Sequence, residues 1–367
     1  MRQNEIGNFH SNKKERVMRD ITTIGIDIAK NFMQIHGEDR TGKAVLKKRV
    51  AREKFLVFMA NLPKCLIGME ACGGAHYWAT QLIKLGFTVK LMSPRKVKKF
   101  VENNKNDAKD AEACAVAVNR GDMRFVPIKT ETQLEIQTIH RVRSYYVKQR
   151  TGLMNMMRGL LLELGIAIPK GKAALVKKMG ILLDAENEQV SKKNKRLFQG
   201  LYDDLKRVHE ELERHTSALQ KLADEDEYCL RISTIAGIGP ITATAIISKI
   251  GNGSEFNKGR ELSAYLGLVP KQYSSGEKQI LGGISKHGDR YLRQLLIHGG
   301  RSGMKAAMRK DKISGLFIKQ DEHSRWIREL AERIGKNKAS VAVANKNARM
   351  IVALLKNQTT FQSALAH

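Results

Sequence analysis

Four acidic residues have the spacing expected of a metal site at one edge of a sheet. Asp27 lies near the end of the first predicted strand, Glu70 ends the fourth, and Asp107 and Asp110 stand three residues apart at the start of a predicted helix. Carboxylates gathered in this way repel one another unless a cation lies among them, and hard divalent ions prefer oxygen ligands. Two such ions about 3.5–4 Å apart stabilise the entering and leaving oxygens of a phosphoryl transfer. The predicted cofactor is therefore Mg²⁺, with Mn²⁺ as a possible substitute.

Each acid, taken singly, also has an ordinary structural explanation. Asp107 could cap a helix, Asp110 could interact with the helix dipole, and Glu70 could be a loop residue. The prediction of a metal site therefore depends on the elements that would bring the four acids together.

The segment that carries these acids predicts an α/β fold. The predicted strands cover 21–28, 32–36, a segment ending at 50, 65–70 and 87–92, and the predicted helices cover 51–62, a segment around 78–85, and 107–119. Three strands that can pair antiparallel are followed by crossover units that require parallel pairing. This order is typical of a ribonuclease-H-like mixed sheet.

Two long helices are predicted where the composition changes after residue 127. Apolar residues recur every three or four positions over 130–164 and again over about 195–225, with many charged residues between them. Two such helices can pair as an antiparallel coiled coil, or their seam can bind a second subunit. Their basic face fits a solvated helical hairpin and a nucleic-acid contact about equally well.

The last region, from about residue 229, is predicted to be mainly helical. The segment TIAGIGP at 234–240, followed by a helix over 241–250, resembles a helix-hairpin-helix turn that binds a phosphate. A tight turn between packed helices explains the same residues equally well. A Gly/Ser-rich loop after Pro270, a basic helix over 288–298 and further helices to about 356 complete the prediction.

The charge of the chain indicates a polyanionic partner. The 367 residues include 65 Lys and Arg against 37 Asp and Glu, a net charge of +28, and the pI is about 10.0. Nucleic acid is the first partner to expect of such a surface. Residues 1–19 form a predicted basic arm.

Other classes of protein are excluded by the composition. A hydrophobic content of 42% excludes wholesale disorder, and four cysteines without a CxxC pair argue against a zinc finger or a secreted disulfide scaffold. No apolar run reaches the roughly 18–20 residues that span a bilayer, and the N-terminus lacks a secretory signal. We therefore expect a cytoplasmic protein without a membrane partner.

Five sequence motifs together resemble one family. IGIDIAK at 24–30, GMEACGG at 68–74 and NDAKDAEA at 106–113 are similar to the DEDD signature of the Piv/MooV-type insertion-sequence transposases, the one-hundred-and-ten group and its eleven-eleven branch. GIGPITATAIISKIG at 237–251 and the segment from AYLGLVPKQYSSGEK to LLIHGGR at 264–301 resemble the transposase domain of the same family. The resemblance covers residues 20–356.

The resemblance implies a division of the chain and a set of partners. It implies a RuvC-like catalytic domain over 20–127, a coiled-coil dimerisation segment over 128–228 and a transposase domain over 229–367, which follow the basic arm over 1–19 that the composition predicts. The partners would be donor DNA, target DNA, and a structured guide (bridge) RNA encoded by the element. The protein would act as a homodimer or as a tetramer built from two dimers, with a composite active site formed by two subunits.

The resemblance also assigns roles to residues. It places the metal-binding acids on Asp27, Glu70, Asp107 and Asp110, and the nucleophile that attacks DNA on Ser275, with Ser274 as its neighbour. A serine hydroxyl needs activation at neutral pH, which metal ions at the phosphate could supply. The resulting phosphoserine ester would conserve bond energy, so that strands could be exchanged and resealed without ATP.

Basic residues near the serine are predicted to hold backbone phosphates. Arg290 and Arg293 lie three apart and could straddle a strand from one helix face. The full predicted set is Lys271, Lys278, Lys286, Arg290, Arg293 and Arg301.

Two alternatives to this function remain open. One is a RuvC-like, structure-specific nuclease or junction resolvase, in which metal-activated water attacks and Ser275 only positions DNA. The other is a non-catalytic nucleic-acid-binding protein whose acids are structural.

Overall fold

The computed structural model describes residues 20–101, 107–275, 278–311 and 313–361. The chain divides into two compact units between Lys129 and Thr130. The predicted arm over 1–19 lies outside the described residues, and the four-part domain division stays a prediction.

The first unit is built on a six-stranded mixed sheet. Its strands are β1 (Thr23–Ile28), β2 (Phe32–Glu38), β3 (Ala44–Ala51), β4 (Leu66–Glu70), β5 (Thr88–Met92) and β6 (Phe125–Val126), in the order β3-β2-β1-β4-β5-β6. The first three strands pair antiparallel, whereas β4 is parallel to both β1 and β5. The predicted change from antiparallel to parallel pairing is confirmed. The two-residue β6, antiparallel to β5, is an addition that the sequence did not predict.

Close packing fixes one helix on this sheet. The helices of the unit are α1 (Phe55–Ala60), α2 (Ala75–Lys84), α3 (Pro94–Val97) and α4 (Asp107–Val118). A Cβ added at Gly25 of β1 would lie 2.0 Å from the carbonyl oxygen of Ala111, and one added at Gly68 of β4 would lie 2.6 Å from that of Cys114. The glycines of the strands and the alanines of α4 therefore allow backbone to approach backbone. As a result, the start of α4 lies over the carboxyl end of β1.

The second unit begins with two long helices. Its helices are α5 (Glu131–Glu163), α6 (Lys172–Leu182), α7 (Lys192–Glu225), α8 (Glu227–Ser233), α9 (Pro240–Ile250), α10 (Gly259–Tyr265), α11 (Arg290–Ala307), α12 (Glu322–Ile334) and α13 (Lys336–Asn357). Helices α5 and α7 pack antiparallel, with Arg143 Nε donating to Thr216 Oγ1 at 2.9 Å near one end and Leu161 sharing a core with Phe198 near the other. The sequence predicted both long helices but not α6.

The turn between α8 and α9 is a packing feature. Gly237 has a φ of +92°, and a Cβ at this position would lie 2.2 Å from the carbonyl oxygen of Gly299 in α11. Asn347 Nδ2 donates to the neighbouring Ala236 carbonyl at 3.2 Å. These contacts explain the glycine by a tight approach between backbones, which is the second of the two explanations that the sequence allowed.

The predicted Gly/Ser-rich loop after Pro270 is wrong in form, because the segment folds as a two-stranded hairpin. Strands β7 (Pro270–Ser275) and β8 (Lys278–Ile284) pair antiparallel, with Ser275 opposite Lys278. Among the described residues of this serine hairpin, every one except Ile284 is exposed. Polar and glycine-rich strands of this kind lack the alternation that identifies a half-buried strand in a sequence.

Candidate active site

Three of the predicted acids lie together at one edge of the first unit. Oxygen atoms of Asp27, Asp107 and Asp110 all lie within 4.8 Å of one another. Asp27 stands near the carboxyl end of β1, while Asp107 and Asp110 stand on the first turn of α4. The approach of α4 to Gly25 brings the two elements together. We refer to these three residues as the acid cluster.

The electrostatics of the acid cluster are those of a site that favours added positive charge. Burial, together with the charges of Asp110, Asp107 and Glu70 in that order of importance, raises the pKa of Asp27 to about 6. A carboxylate in this setting is costly to ionise unless a cation compensates it. The cluster therefore has the properties expected of a cation site.

Glu70 lies beside the acid cluster but outside the group of three. It ends β4, which runs parallel to β1 with Met69 opposite Ile26. Its charge contributes to the raised pKa of Asp27. The structure thus brings three of the four predicted acids together and places the fourth on the adjacent strand.

Two cysteines adjoin the acids, and the sequence analysis did not identify them. Burial raises the pKa of Cys72 and of Cys114, and the charges of Glu70 and Asp27 raise both further. Both thiols are therefore held in the protonated form. The available signal was their position, two residues after Glu70 and four residues after Asp110.

The donor chemistry of the site fits a hard divalent ion. The carboxylates offer oxygen atoms, whereas the neighbouring thiols stay protonated and are poor ligands in that form. Mg²⁺ and Mn²⁺ accept oxygen ligands, and soft metals select thiolates. The acid cluster, with Glu70 on the next strand, is thus a suitable binding site for a divalent cation of this class.

The predicted nucleophile lies in the second unit, at the exposed end of β7. Ser275 is the last residue of that strand. The neighbouring Ser274 hydroxyl accepts a hydrogen bond from Gln272 Nε2 at 2.9 Å. The tip of the hairpin therefore presents serine hydroxyl groups to solvent.

The base of the serine hairpin is fixed by close contacts. Arg293 Nη1 donates at 3.0 Å to the carbonyl oxygens of both Leu266 and His287, one on each side of the hairpin. A Cβ at Gly267 would lie 2.2 Å from the His287 carbonyl oxygen, and one at Gly288 would lie 1.8 Å from that of Tyr265. The hairpin is thus anchored at its base and exposed along its length.

Arg293 corrects one prediction. It is 9% exposed, and its Nη1 donates to the two carbonyl groups, so that it is buried at the hairpin base instead of facing a DNA strand beside Arg290. Arg293 contacts the base of the hairpin, whereas Arg290, three residues earlier on the same helix, is exposed. The other predicted phosphate contacts are exposed, namely Lys271, Lys278, Lys286, Arg290 and Arg301.

Two family models match the chain. Residues 24–166 match a transposase model of the DEDD type from IS110 elements. Residues 229–313 match the model described as Transposase IS116/IS110/IS902 family. The first match contains the acid cluster and Glu70, and the second contains the serine hairpin.

Transposases of several bacteria are similar to almost the whole chain. The transposase for insertion sequence element IS1111A of Coxiella burnetii is 39% identical, over 99% of this chain and 96% of its own length. A probable family 20 transposase of Pseudomonas aeruginosa is 41% identical, over 94% of this chain and 99% of its own length. The transposase for insertion sequence element IS1328 of Yersinia enterocolitica is 37% identical over the same shares, 94% and 99%.

No helix among the described residues is both long enough and apolar enough to cross a bilayer. Both halves of the chain and its most informative motifs point to one group of proteins. The chain belongs to the IS110/IS116/IS902 family of DEDD insertion-sequence transposases, and its similarity to the IS1111A transposase is consistent with the eleven-eleven branch of that family.

Proposed function

We propose that this transposase cuts and rejoins DNA through a phosphoserine intermediate on Ser275, with divalent ions held by Asp27, Glu70, Asp107 and Asp110. The observation that carries the proposal is the convergence of Asp27, Asp107 and Asp110 within 4.8 Å. A transposase acts on DNA, and anionic side chains gathered at such a site would repel the DNA backbone unless cations intervened. Mg²⁺ is the proposed ion, with Mn²⁺ as a substitute.

The acids would hold the ions at one place between β1 and α4. When bound, divalent ions neutralise the phosphate charge and polarise its oxygens, which lowers the barrier to attack by a hydroxyl. The first turn of α4 supplies two of the carboxylates on one helix face, so their separation is fixed by the helix. Asp27 supplies a third from the neighbouring strand.

Ser275 would supply the nucleophile. A bond forms between its Oγ and phosphorus, the bond from phosphorus to the departing strand breaks, and the hydroxyl proton lost by the serine is balanced by the proton that the departing oxygen gains. Resealing reverses these changes with a different strand end. The exposed position of Ser275 supports this role, because the attacked phosphate comes from a large external substrate.

Trapping the covalent intermediate tests this chemistry. Wild-type protein, incubated with DNA and Mg²⁺ and separated on a denaturing gel, is expected to carry covalently attached DNA. Ser275→Ala should lose both this product and DNA joining, whereas Ser274→Ala, the matched control, should keep them. Asp27→Ala should abolish cleavage. Free DNA ends that persist in Ser275→Ala would overturn the serine mechanism in favour of a nuclease that uses activated water.

A structured guide RNA is proposed to select the sites that are joined. The net charge of +28 supports binding of a second polyanion besides DNA, and the family resemblance supports its identity as an RNA encoded by the element. Joining assayed with and without a transcript of the flanking non-coding segment tests this. Joining that is independent of the transcript would overturn the RNA guide.

A dimer or a dimer of dimers is proposed as the active assembly, on the nucleoid of the cytoplasm. Exposed apolar side chains on α5, Met156 and Leu160 among them, support burial against another copy. The mass of the assembly in solution tests this. We expect two or four copies, and a monomer at working concentrations would contradict the proposal.

A further inference from the structure

A cleft of about 650 Å³ opens in the second unit between α5, α9 and α11. Its volume lies within the range that accommodates small ligands. One face of α5 forms a wall, because Arg141, Tyr145 and Lys148 recur at helical spacing and all line the cleft. The first turn of α11, beginning at Arg290, forms the opposite side. Among the residues that line the cleft, Arg290 is the one that the sequence predicts as a phosphate contact.

The lining of the cleft is positively charged. Arg141, Lys148 and Arg290 are exposed side chains, and no carboxylate among the described residues forms an ion pair with any of them. Within the described part of the lining the one carboxylate is Asp289, and it is already engaged. It lies 3.1 Å from Lys249 Nζ and accepts a hydrogen bond of 3.1 Å from the Leu292 amide. Three cations therefore remain available to an anionic ligand.

An aromatic ring faces the same space. Tyr145 is 56% exposed, although large aromatic side chains are normally well buried. Its ring contacts that of Tyr146 at 5.4 Å and 70°. Tyr146 in turn stacks on His215 of α7 at 5.7 Å. The ring of Tyr145 thus contacts the protein edge-on through Tyr146, while more than half of the side chain remains accessible.

The floor of the cleft holds its helices at a fixed distance. Buried His140 of α5 lies 3.0 Å from Thr244 Oγ1 of α9 and 3.1 Å from Tyr291 Oη of α11. Gln137 Nε2 of α5 donates to the Ser248 carbonyl of α9 at 2.6 Å. Burial, with a smaller contribution from Arg143, lowers the pKa of His140 to about 4, so the imidazole is neutral at pH 7. The cleft is therefore a preformed feature of the unit.

We propose that this cleft binds an unpaired nucleotide of the nucleic acid on which the transposase acts. The base would stack on Tyr145, and Arg141, Lys148 and Arg290 would contact the phosphates on either side. Cations beside an accessible aromatic ring are the combination that binds single strands, because every base has a face to stack. A base within a duplex has both faces covered by its neighbours and cannot stack in this way.

The proposal rests on the proposed function only in taking nucleic acid as the ligand, and it does not require Ser275. A Ser275→Ala protein should keep this binding. If Ser275→Ala loses joining while the Tyr145 variants below behave as wild type, only the cleft proposal fails.

The aromatic contact is tested by binding of short oligonucleotides to the full-length protein in EDTA. The probes are a 12-nucleotide single-stranded DNA, the RNA of the same sequence, and the corresponding DNA duplex. Tyr145→Leu should weaken single-strand binding about tenfold and leave duplex binding unchanged, whereas Tyr145→Phe should bind as wild type. An effect on RNA alone or on DNA alone identifies which strand supplies the nucleotide. Equal losses on single strand and duplex, or no loss in Tyr145→Leu, would overturn the proposal.

The cationic contacts are tested by the salt dependence of the same binding. Arg141→Gln combined with Lys148→Gln should reduce the slope of log affinity against log salt by about 1.4, which corresponds to two contacts of about 0.7 each on a single strand. Lys192→Gln combined with Lys193→Gln removes the same charge from exposed positions at the start of α7 and should change the slope much less. Equal reductions in both pairs would mean general attraction by a basic surface and would contradict a specific cleft.

Discussion

The acids and the serine are held in different ways. The acid cluster stands on a strand and a helix whose backbones are in direct contact, since no Cβ fits at Gly25 without a clash against Ala111. Ser275 stands on a hairpin that is exposed along its length and fixed at its base by Arg293. The positions of the acids are therefore set by the fold of the first unit, whereas the serine hairpin is positioned by the fold only at its base.

Because of this difference, substitutions in the two regions should affect the stability of the protein and its activity in different proportions. Substitutions beneath the acid cluster should damage the fold and the chemistry together, because the same packing serves both. Substitutions at the tip of the serine hairpin should damage the chemistry alone.

The largest loss is expected at the contact between β1 and α4. Gly25→Ala places a methyl group 2.0 Å from the Ala111 carbonyl oxygen and 2.4 Å from the Ala115 nitrogen, both backbone atoms that cannot rotate away. We expect a loss of about 3 kcal/mol in the free energy of unfolding, measured by thermal melting, together with loss of DNA joining. Gly121→Ala is the control, because nothing lies within 4 Å of the added methyl group. Equal melting temperatures for the two variants would contradict the described packing.

A smaller loss is expected at the base of the serine hairpin. Arg293→Ala removes the donor shared by the carbonyl oxygens of Leu266 and His287, which leaves both acceptors, including that of the buried Leu266, without this partner. We expect the free energy of unfolding to fall by about 2 kcal/mol, and we expect faster proteolysis within 270–284. The neighbouring Arg290→Ala, which alters an exposed side chain, should leave the melting temperature and the proteolysis rate near those of wild type. A destabilised Arg290→Ala beside an unaffected Arg293→Ala would reverse our assignment of the two arginines.

The arginine pair also shows how far the sequence could predict this structure. Spacing predicts that Arg290 and Arg293 lie on one helix, and both stand at the start of α11. Spacing could not show that Arg293 is buried at the hairpin base while Arg290 is exposed, because this depends on contacts with residues some 27 positions away, such as Leu266. The same limit explains the loop predicted after Pro270. An exposed strand shows no alternation of apolar and polar residues, so neither β7 nor its pairing with β8 could be predicted from the sequence.

The positions of the four acids were more predictable, because the strands that carry two of them are buried. Buried strands such as β1 and β4 have apolar sequences, and the order of strands and helices restricts how they can pair. Asp27 and Glu70 could therefore be assigned to neighbouring strand ends, and Asp107 and Asp110 to one helix turn. The sequence could not predict that Glu70 would lie outside the group of three, since strand order does not fix side-chain distances.

A pH-dependent effect is expected at the acid cluster when no divalent ion is present. The pKa of Asp27 rises from 3.8 to about 6 on folding. The folded state therefore binds the Asp27 proton more tightly than the unfolded chain does. For this reason the free energy of unfolding is highest below pH 4 and falls as the pH rises through 6. Allowing for screening by solvent, this loss is about 1–2 kcal/mol at pH 7. In EDTA, Asp27→Asn should therefore melt higher than wild type at pH 7, with no such difference near pH 4.

Divalent ions should reverse this difference. The proposed binding of Mg²⁺ or Mn²⁺ to the folded state should raise the melting temperature of wild type but not that of Asp27→Asn. Glu53→Gln, which changes an exposed acid of the same unit, is the matched control and should respond as wild type does. A gap between wild type and Asp27→Asn that is constant from pH 4 to pH 7 would mean that the ionisation of Asp27 is not linked to folding.

The smallest effect on stability is expected at Ser275. The residue is exposed at the end of β7, so removal of its hydroxyl group leaves no buried donor or acceptor behind. The free energy of unfolding of Ser275→Ala should lie within about 0.5 kcal/mol of that of wild type, yet the variant should lose DNA joining. Asp27→Asn should lose joining too, but with a raised melting temperature in EDTA, so the two inactive proteins are distinguished by melting alone. A large destabilisation in Ser275→Ala would mean that the hairpin tip is packed against protein in solution, and the serine would then be preorganised in the same manner as the acids.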